Sequence, residues 1–307
     1  VEGNLSEKQR VLLPVFAAFG GMLVPALVYA GFNWNGGPAL EGWGIPVATD
    51  IAFALGILSL LGPRVPPGLK VFLLSLAIFD DVGAILIIAL YYTEQLAPVS
   101  LGIAIVILGL LIQINRCCII NNSVYIFLGL ILWVALLKSG VHATLAGVLI
   151  GLSIPIKSNE QSFKELQHSL HAPVNFIVLP LFAFANSGIV FTSLHLEELT
   201  SDVTLGIVAG LLLGKQAGIF LFSWIAVKTG MGRLPYGVNW PQIYSVSVLS
   251  GVGFTMSLFI GSLAFECSAG DCYDIVDNRL GVLIGSLLSG ISGYLLLRYQ
   301  LHKKASV

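Results

Sequence analysis

The stretch KVFLLSLAIFDDVGAILIIALYY, Lys70 to Tyr92, is apolar over the length a helix needs to cross a bilayer, about 20 residues, yet holds two adjacent carboxylates, Asp80 and Asp81, at its midpoint. An ionised Asp at mid-bilayer costs about 2.5–3.5 kcal/mol. The flanking Leu, Ile, Phe, Val and Ala offer no compensation. Two readings follow. One is a structural ion pair buried in a helix bundle. The other, the default for ionisable residues inside a membrane, is a site for a cation, a proton or both.

The chain as a whole fits that setting. It is 56% AVILMFWYC and 10% charged, with a mean hydropathy of +0.92, whereas soluble domains carry about 25% charged residues. This is the composition of an integral membrane protein. A net charge of −1 gives no basic surface for nucleic acid. The five His and four Cys fall in no metal-ligand spacing. Cys117 and Cys118 are neighbours, while Cys267 and Cys272 share a loop, where a disulfide requires an extracytoplasmic location. The sequence opens on Val1 with no signal-peptide pattern, as expected of a fragment or of a chain numbered from an internal point.

Polar punctuation divides the sequence into ten apolar spans within a single membrane domain, 11–32, 39–61, 69–92, 99–115, 122–137, 139–155, 173–190, 204–227, 242–265 and 278–299. Their length and glycine content predict α-helices, and no alternating barrel pattern appears. Ten spans put both termini on one side, with twelve of the fifteen Lys and Arg in the loops there. Only Lys138 and Arg279 fall opposite, and Lys215 lies inside a span. The positive-inside rule then places both ends in the cytoplasm. Merging 122–155 into one span would abolish this bias, which favours splitting it at Lys138-Ser139-Gly140.

Two spans carry interruptions. In GWGIPVATDIAFALGILSLLG, Pro46 and then Ala48-Thr49-Asp50 break the second span at mid-depth. A helix restarting after Thr49 has free N–H groups and a positive dipole end, where Asp50 is the offsetting anion. In SVSVLSGVGFTMSLFIGSLAF of the ninth span, Gly251, Gly253 and Thr255 sit mid-span. Those glycines read either as non-helical backbone or as close helix packing. Broken backbone is tolerated only inside protein or beside a water-filled cavity. The interrupted spans are second and second-to-last, and paired breaks in corresponding halves point to an inverted-repeat transporter with a midplane site. Lys215, in LLLGKQAGIFLF, is too deep to snorkel easily. It requires a carboxylate, a helix C-terminal end or neutralisation, and Asp50, Asp80 and Asp81 are the acids at that depth.

Elsewhere the signals are weaker. His142 in SGVHATLAG reads as a packed histidine bonded to backbone. The polar, helical-looking segment 156–172 holds Glu165, His168 and His171, either a solvated loop or a pH-sensing mouth.

GWGIPVATDIAFALGILSLLG (42–62), LAIFDDVGAILIIALYYT (76–93), LKSGVHATLAGVLIG (137–151) and LSGVGFTMSLFIGSLAF (249–265) together resemble the NhaA family of bacterial sodium/proton antiporters, as do LPLFAFANSG (179–188) and Gly214-Lys215. The likeness covers essentially the whole chain. It implies an all-α polytopic, inverted-repeat transporter with two discontinuous crossing helices, in the bacterial inner membrane. The family has twelve helices, and the ten spans match its third to twelfth. The first two, with the hairpin that serves homodimer assembly, are absent from this sequence.

The resemblance implies roles residue by residue. Asp81 is the principal Na⁺ ligand and proton acceptor, and Asp80 is its neighbour in the same site, paired with Lys215. Thr49 and Asp50 lie where the broken helices cross, Asp50 compensating helix ends of one sign and Lys215 those of the other. His142, Glu165, His168 and His171 become candidates for pH regulation. Two positions depart from the family: Gln216 stands where it has proline, and Gln167 where it has the glutamate before the first histidine. The implied activity is electrogenic export of Na⁺ or Li⁺ against H⁺ by alternating access, with no cofactor, and with lipid, cations and protons as the only partners besides a second copy. Antiport of K⁺ or an organic anion, or an inactive shortened form, are the nearest alternatives. An intramembrane aspartyl protease fits poorly, because Asp80 follows Ala-Ile-Phe and Asp50 follows Val-Ala-Thr rather than Gly-x-Gly. A non-transporting scaffold or channel accounts for neither the paired breaks nor the buried charges.

Overall fold

Backbone N–H and C=O groups find no water in a bilayer, so apolar runs close their hydrogen bonds within helices. A computed structural model describes residues 8–35, 37–92, 97–117, 122–154, 160–188, 199–265 and 275–305, with no strand among them. In chain order the helices are α1 (Lys8–Phe32), a tight 3-10 stretch Pro38–Val47, α2 (Ile51–Ser59), α3 (Pro67–Tyr91), α4 (Pro98–Arg116), α5 (Asn122–Leu137), α6 (Thr144–Ser153), α7 (Glu160–Pro173), α8 (Leu179–Asn186), α9 (Asp202–Ala209), α10 (Lys215–Lys228), α11 (Trp240–Leu249), α12 (Phe254–Ala264) and α13 (Ile275–Ala305). A π turn, Val174–Val178, joins α7 to α8, and a second, Gly210–Gly214, joins α9 to α10. Among the described residues seven helical stretches are long and apolar enough to cross a membrane, eight if α11 and α12 form one bent span.

Several bounds differ from the sequence expectation. The 139–155 span shrinks to α6, ten residues and so about 15 Å. Gly140, at φ 83°, turns the chain, and the helix resumes only at Thr144. The 173–190 span begins earlier, because the polar helix α7 continues through the π turn into α8. Cys267 and Cys272 lie outside the described residues; Cys117 is exposed.

The chain divides into two compact units, one of residues 1–84 with 182–307 and one of 85–181. In the first, α1 packs along α10 with glycine against glycine. A Cβ on Gly20 would stand 2.4 Å from the Gly218 carbonyl oxygen, and one on Gly218 would stand 2.1 Å from that of Gly20. Small residues drive such packing where lipid removes the hydrophobic drive between helices. Leu13, Ala54, Leu73, Ile243, Leu249 and Leu297 fill the core of this unit. α11 opens on a capping box, the Asn239 and Gln242 side chains each accepting the other's backbone N–H at 3.1 Å. In the second unit α4, α5 and α6 pack around Ile107, Leu111, Tyr125, Leu132 and Ala146. The Asn115 side-chain amide donates to the Ser153 carbonyl at 2.6 Å across that cluster.

Candidate functional site

The site forms where two interrupted helices meet inside the first unit. The 3-10 stretch stops at Val47, Ala48 is extended, and α2 starts at Ile51 with Asp50 as its N-cap. Asp50 Oδ1 accepts the Phe53 N–H at 3.0 Å, the bond a capping carboxylate makes to a helix's free donors. The second interruption, residues 250–253, separates α11 from α12, which are bent by 46°.

Each interruption satisfies the backbone of the other. The Asp50 N–H donates to Val252 O at 2.7 Å. Asp50 Oδ2 accepts the Thr255 N–H at 3.0 Å and also the Thr255 hydroxyl. One carboxylate therefore sits at the positive N-terminal ends of both α2 and α12. In return, Thr49 Oγ1 lies 2.9 Å from Ser250 O, and the Ser257 hydroxyl donates to Ile45 O at 2.7 Å. Contact this close favours glycine: a Cβ on Gly253 would fall 3.1 Å from Ala48 O across the crossing, and one on Gly251 would fall 2.3 Å from Leu211 O of the Gly210–Gly214 π turn.

Lys215 is fully buried and follows the Gly210–Gly214 π turn. Its ammonium donates to Val47 O, the C-terminal end of the 3-10 stretch, and to Asp80 Oδ2. Asp80 Oδ2 also accepts from the Thr49 hydroxyl at 2.7 Å. Asp81 follows Asp80 on α3, about 100° further round the helix. Asp80 Oδ1 and Asp81 Oδ1 are buried and accept no hydrogen bond. Buried carboxylate oxygens without partners are costly, and a proton or a hard cation removes that cost. Among the described residues no group of three or more His, Cys, Asp or Glu gathers as a metal cage.

The structure thus brings Thr49, Asp50, Asp80, Lys215, Gly251, Gly253 and Thr255 together, with Asp81 beside them. It leaves four candidates in the second unit. His142 Nε2 lies 3.2 Å from Tyr92 O, a local backbone contact. Glu165, His168 and His171 lie on α7, exposed, with the His171 ring next to the Asn175 amide. Gln216, the departure noted next to Lys215, accepts the Tyr244 hydroxyl at 2.9 Å. What precedes Lys215 is the π turn, where Gly214 lies against Pro25; a Cβ there would stand 2.8 Å from Pro25 Cα. Sequence reading missed Ser250, Ser257 and the π turn. The Ser-Gly pair at 250–251 and the glycines five residues before and directly before Lys215 were the available signals.

Comparison with known proteins identifies this arrangement. The family model described as Na⁺/H⁺ antiporter 1 matches residues 1–297. The chain is 52% identical over 307 residues to the Na(+)/H(+) antiporter NhaA of Vibrio cholerae serotype O1, covering 99% of this chain and 80% of that protein. It is 51% identical over 309 residues to the NhaA of Sulfurovum sp. strain NBC37-1, with 99% and 78% covered. The NhaA of Rhodospirillum rubrum is 52% identical over 312 residues, again with 99% and 78% covered. With its crossed broken helices, its multi-pass helical build and matches along nearly its full length, the chain belongs to the Na⁺/H⁺ antiporter 1 family.

Proposed function

We propose that this protein is a secondary active antiporter that exports Na⁺ or Li⁺ in exchange for H⁺, with Asp81 and Asp80 as the shared ion and proton site. The observation that carries the reading is the pair of buried oxygens, Asp80 Oδ1 and Asp81 Oδ1, that accept no hydrogen bond. A carboxylate oxygen holding a proton does not also ligate Na⁺, so the two cargoes compete for one place. Facing the acidic outside, the aspartates load protons; facing the cytoplasm, they release them and Na⁺ binds. Lys215 and Thr49 already occupy Asp80 Oδ2. Na⁺ arriving at Asp80 therefore loosens the lysine, and two protons on Asp80, Asp81 or Lys215 exchange for one Na⁺.

Rocking of one helix group against the other supplies alternating access. Asp50, Thr255 and Thr49 hold the crossing together while its surroundings move. The chain crosses the bacterial inner membrane ten times with both ends in the cytoplasm, α5 and α6 forming two short spans, and the excess of Lys and Arg in loops on one side supports that orientation. Transport needs no cofactor. Glu165, His168 and His171, exposed on α7, are the candidates for pH regulation, and the protein can assemble as a homodimer.

The test uses everted vesicles with an acidic interior and a pH-sensitive dye, adding Na⁺, Li⁺ and K⁺ in turn. Wild type is expected to collapse the gradient on Na⁺ or Li⁺. Asp81→Asn, inserted to the same level, is expected to retain under a tenth of that response. Near-normal exchange in Asp81→Asn would sink the assignment, and a response to K⁺ alone would replace Na⁺ as the cargo.

A further inference from the structure

An apolar fissure of about 410 Å³ runs between α2 and α13, with Ile57 and Leu60 on one wall and Leu287, Ile291 and Leu295 on the other. Its inner end is closed by Phe53, Val252 and Phe254, residues of the crossing itself; the Phe53 and Phe254 rings pack edge to face at 4.6 Å. At its outer end it shares Leu60 and Tyr294 with a second cavity of about 250 Å³ of opposite character, lined by Arg64, Arg298 and His302 with no carboxylate among its lining residues. Arg64 Nη1 stands 3.4 Å from His302 Nε2. Exposed apolar residues are ordinary on a protein that sits in lipid. A concave apolar channel ending in a pair of arginines is not.

We infer that this continuous groove and basic pocket bind one anionic phospholipid, an acyl chain lying in the fissure and the phosphate on Arg64 and Arg298. From Leu283 to Leu295 the α13 wall is about 18 Å long at 1.5 Å per residue, enough to accept most of an extended acyl chain. Arginine's planar fork matches a phosphate's oxygens two at a time. Arg64 follows the end of α2 and Arg298 lies in the last turns of α13, so both sit at the edge of the apolar region, where headgroups lie. Basic pockets between membrane helices recognise anionic headgroups for this reason. The lipid's tail would end against Phe53 and Phe254, and so against the two broken helices.

Binding is read directly, apart from ion exchange, by native mass spectrometry of the full chain in detergent, titrated with dioleoyl phosphatidylglycerol or dioleoyl phosphatidylcholine. Wild type should bind one phosphatidylglycerol in clear preference to phosphatidylcholine. Arg64→Gln with Arg298→Gln should weaken phosphatidylglycerol roughly thirty-fold, about five-fold per arginine, and weaken phosphatidylcholine less, so that the preference between the two lipids is lost. Both arginines are exposed, so folding should survive, as unchanged helical circular dichroism would show; if the double variant misfolds, Arg298→Gln alone should cost about five-fold. Ile291→Trp, which fills the fissure with the arginines intact, should also weaken phosphatidylglycerol at least five-fold. Equal binding of the two lipids, wild-type binding by the arginine variants or by Ile291→Trp, or displacement of the lipid by millimolar inorganic phosphate would each overturn the assignment.

Discussion

At the scale of single residues, the site is a set of charges that would be intolerable alone. Lys215 and Asp80 are both fully buried and paired, with Val47 O and the Thr49 hydroxyl completing their bonds. Breaking a buried pair from one side strands the other charge and costs about 3–5 kcal/mol, whereas replacing both partners with apolar groups of similar volume is often neutral. Lys215→Met should therefore lower thermal stability of the purified protein markedly, and Asp80→Leu with Lys215→Met should recover most of it while transporting nothing. A double variant less stable than either single would show that the pair is a net stabiliser. These two residues and Asp81 were legible in the sequence because a charge in a 20-residue apolar run is expensive whatever surrounds it. Which of three aspartates meets Lys215 was not legible from the residues, since pairing across 135 positions is set by packing.

At the scale of elements, what matters is how closely backbones approach. The breaks at 48–50 and 250–253 were visible as polar and glycine-rich interruptions, but their mutual bonding, Asp50 N–H to Val252 O, joins positions about two hundred residues apart and leaves no local trace. The π turn before Lys215 and the shortness of α6 were likewise hidden, because Leu, Gly and Ile continue their apolar patterns through both. The contact of α1 with α10 makes a prediction that separates packing from composition. Gly218→Leu drives a side chain into the Gly20 carbonyl and should destabilise by at least the 1–3 kcal/mol typical of overpacking. Gly109→Leu on α4, where nothing lies within 4 Å of a new Cβ, should leave the melting temperature unchanged. If both substitutions behave alike, glycine in these helices is lipid-facing filler rather than a contact device.

At the scale of the whole molecule, the number of protons exchanged decides what drives Na⁺ outward. On the proposed reading Asp80, Asp81 and Lys215 are the three groups that can carry protons, and two protons per Na⁺ moves one net charge per cycle. Moving an elementary charge through 100 mV is worth about 2.3 kcal/mol, and each 1.36 kcal/mol is a factor of ten. With no pH gradient, an interior-negative potential of about 100 mV should then hold Na⁺ roughly fifty-fold lower inside than outside. Proteoliposomes containing purified protein, with a potassium diffusion potential set by valinomycin and the pH clamped equal on both sides, measure this with radioactive sodium. Expulsion of Na⁺ toward that ratio requires the two-proton cycle. A one-for-one exchange is electrically silent and would leave Na⁺ equal on the two sides however large the potential, which would mean that only one of the three groups changes its protonation in the cycle. Where the wild type shows the two-proton ratio, the same assay on Lys215→Met says which group carries the second proton: loss of voltage response with exchange retained would assign it to the lysine, and retention of both would leave it on Asp80.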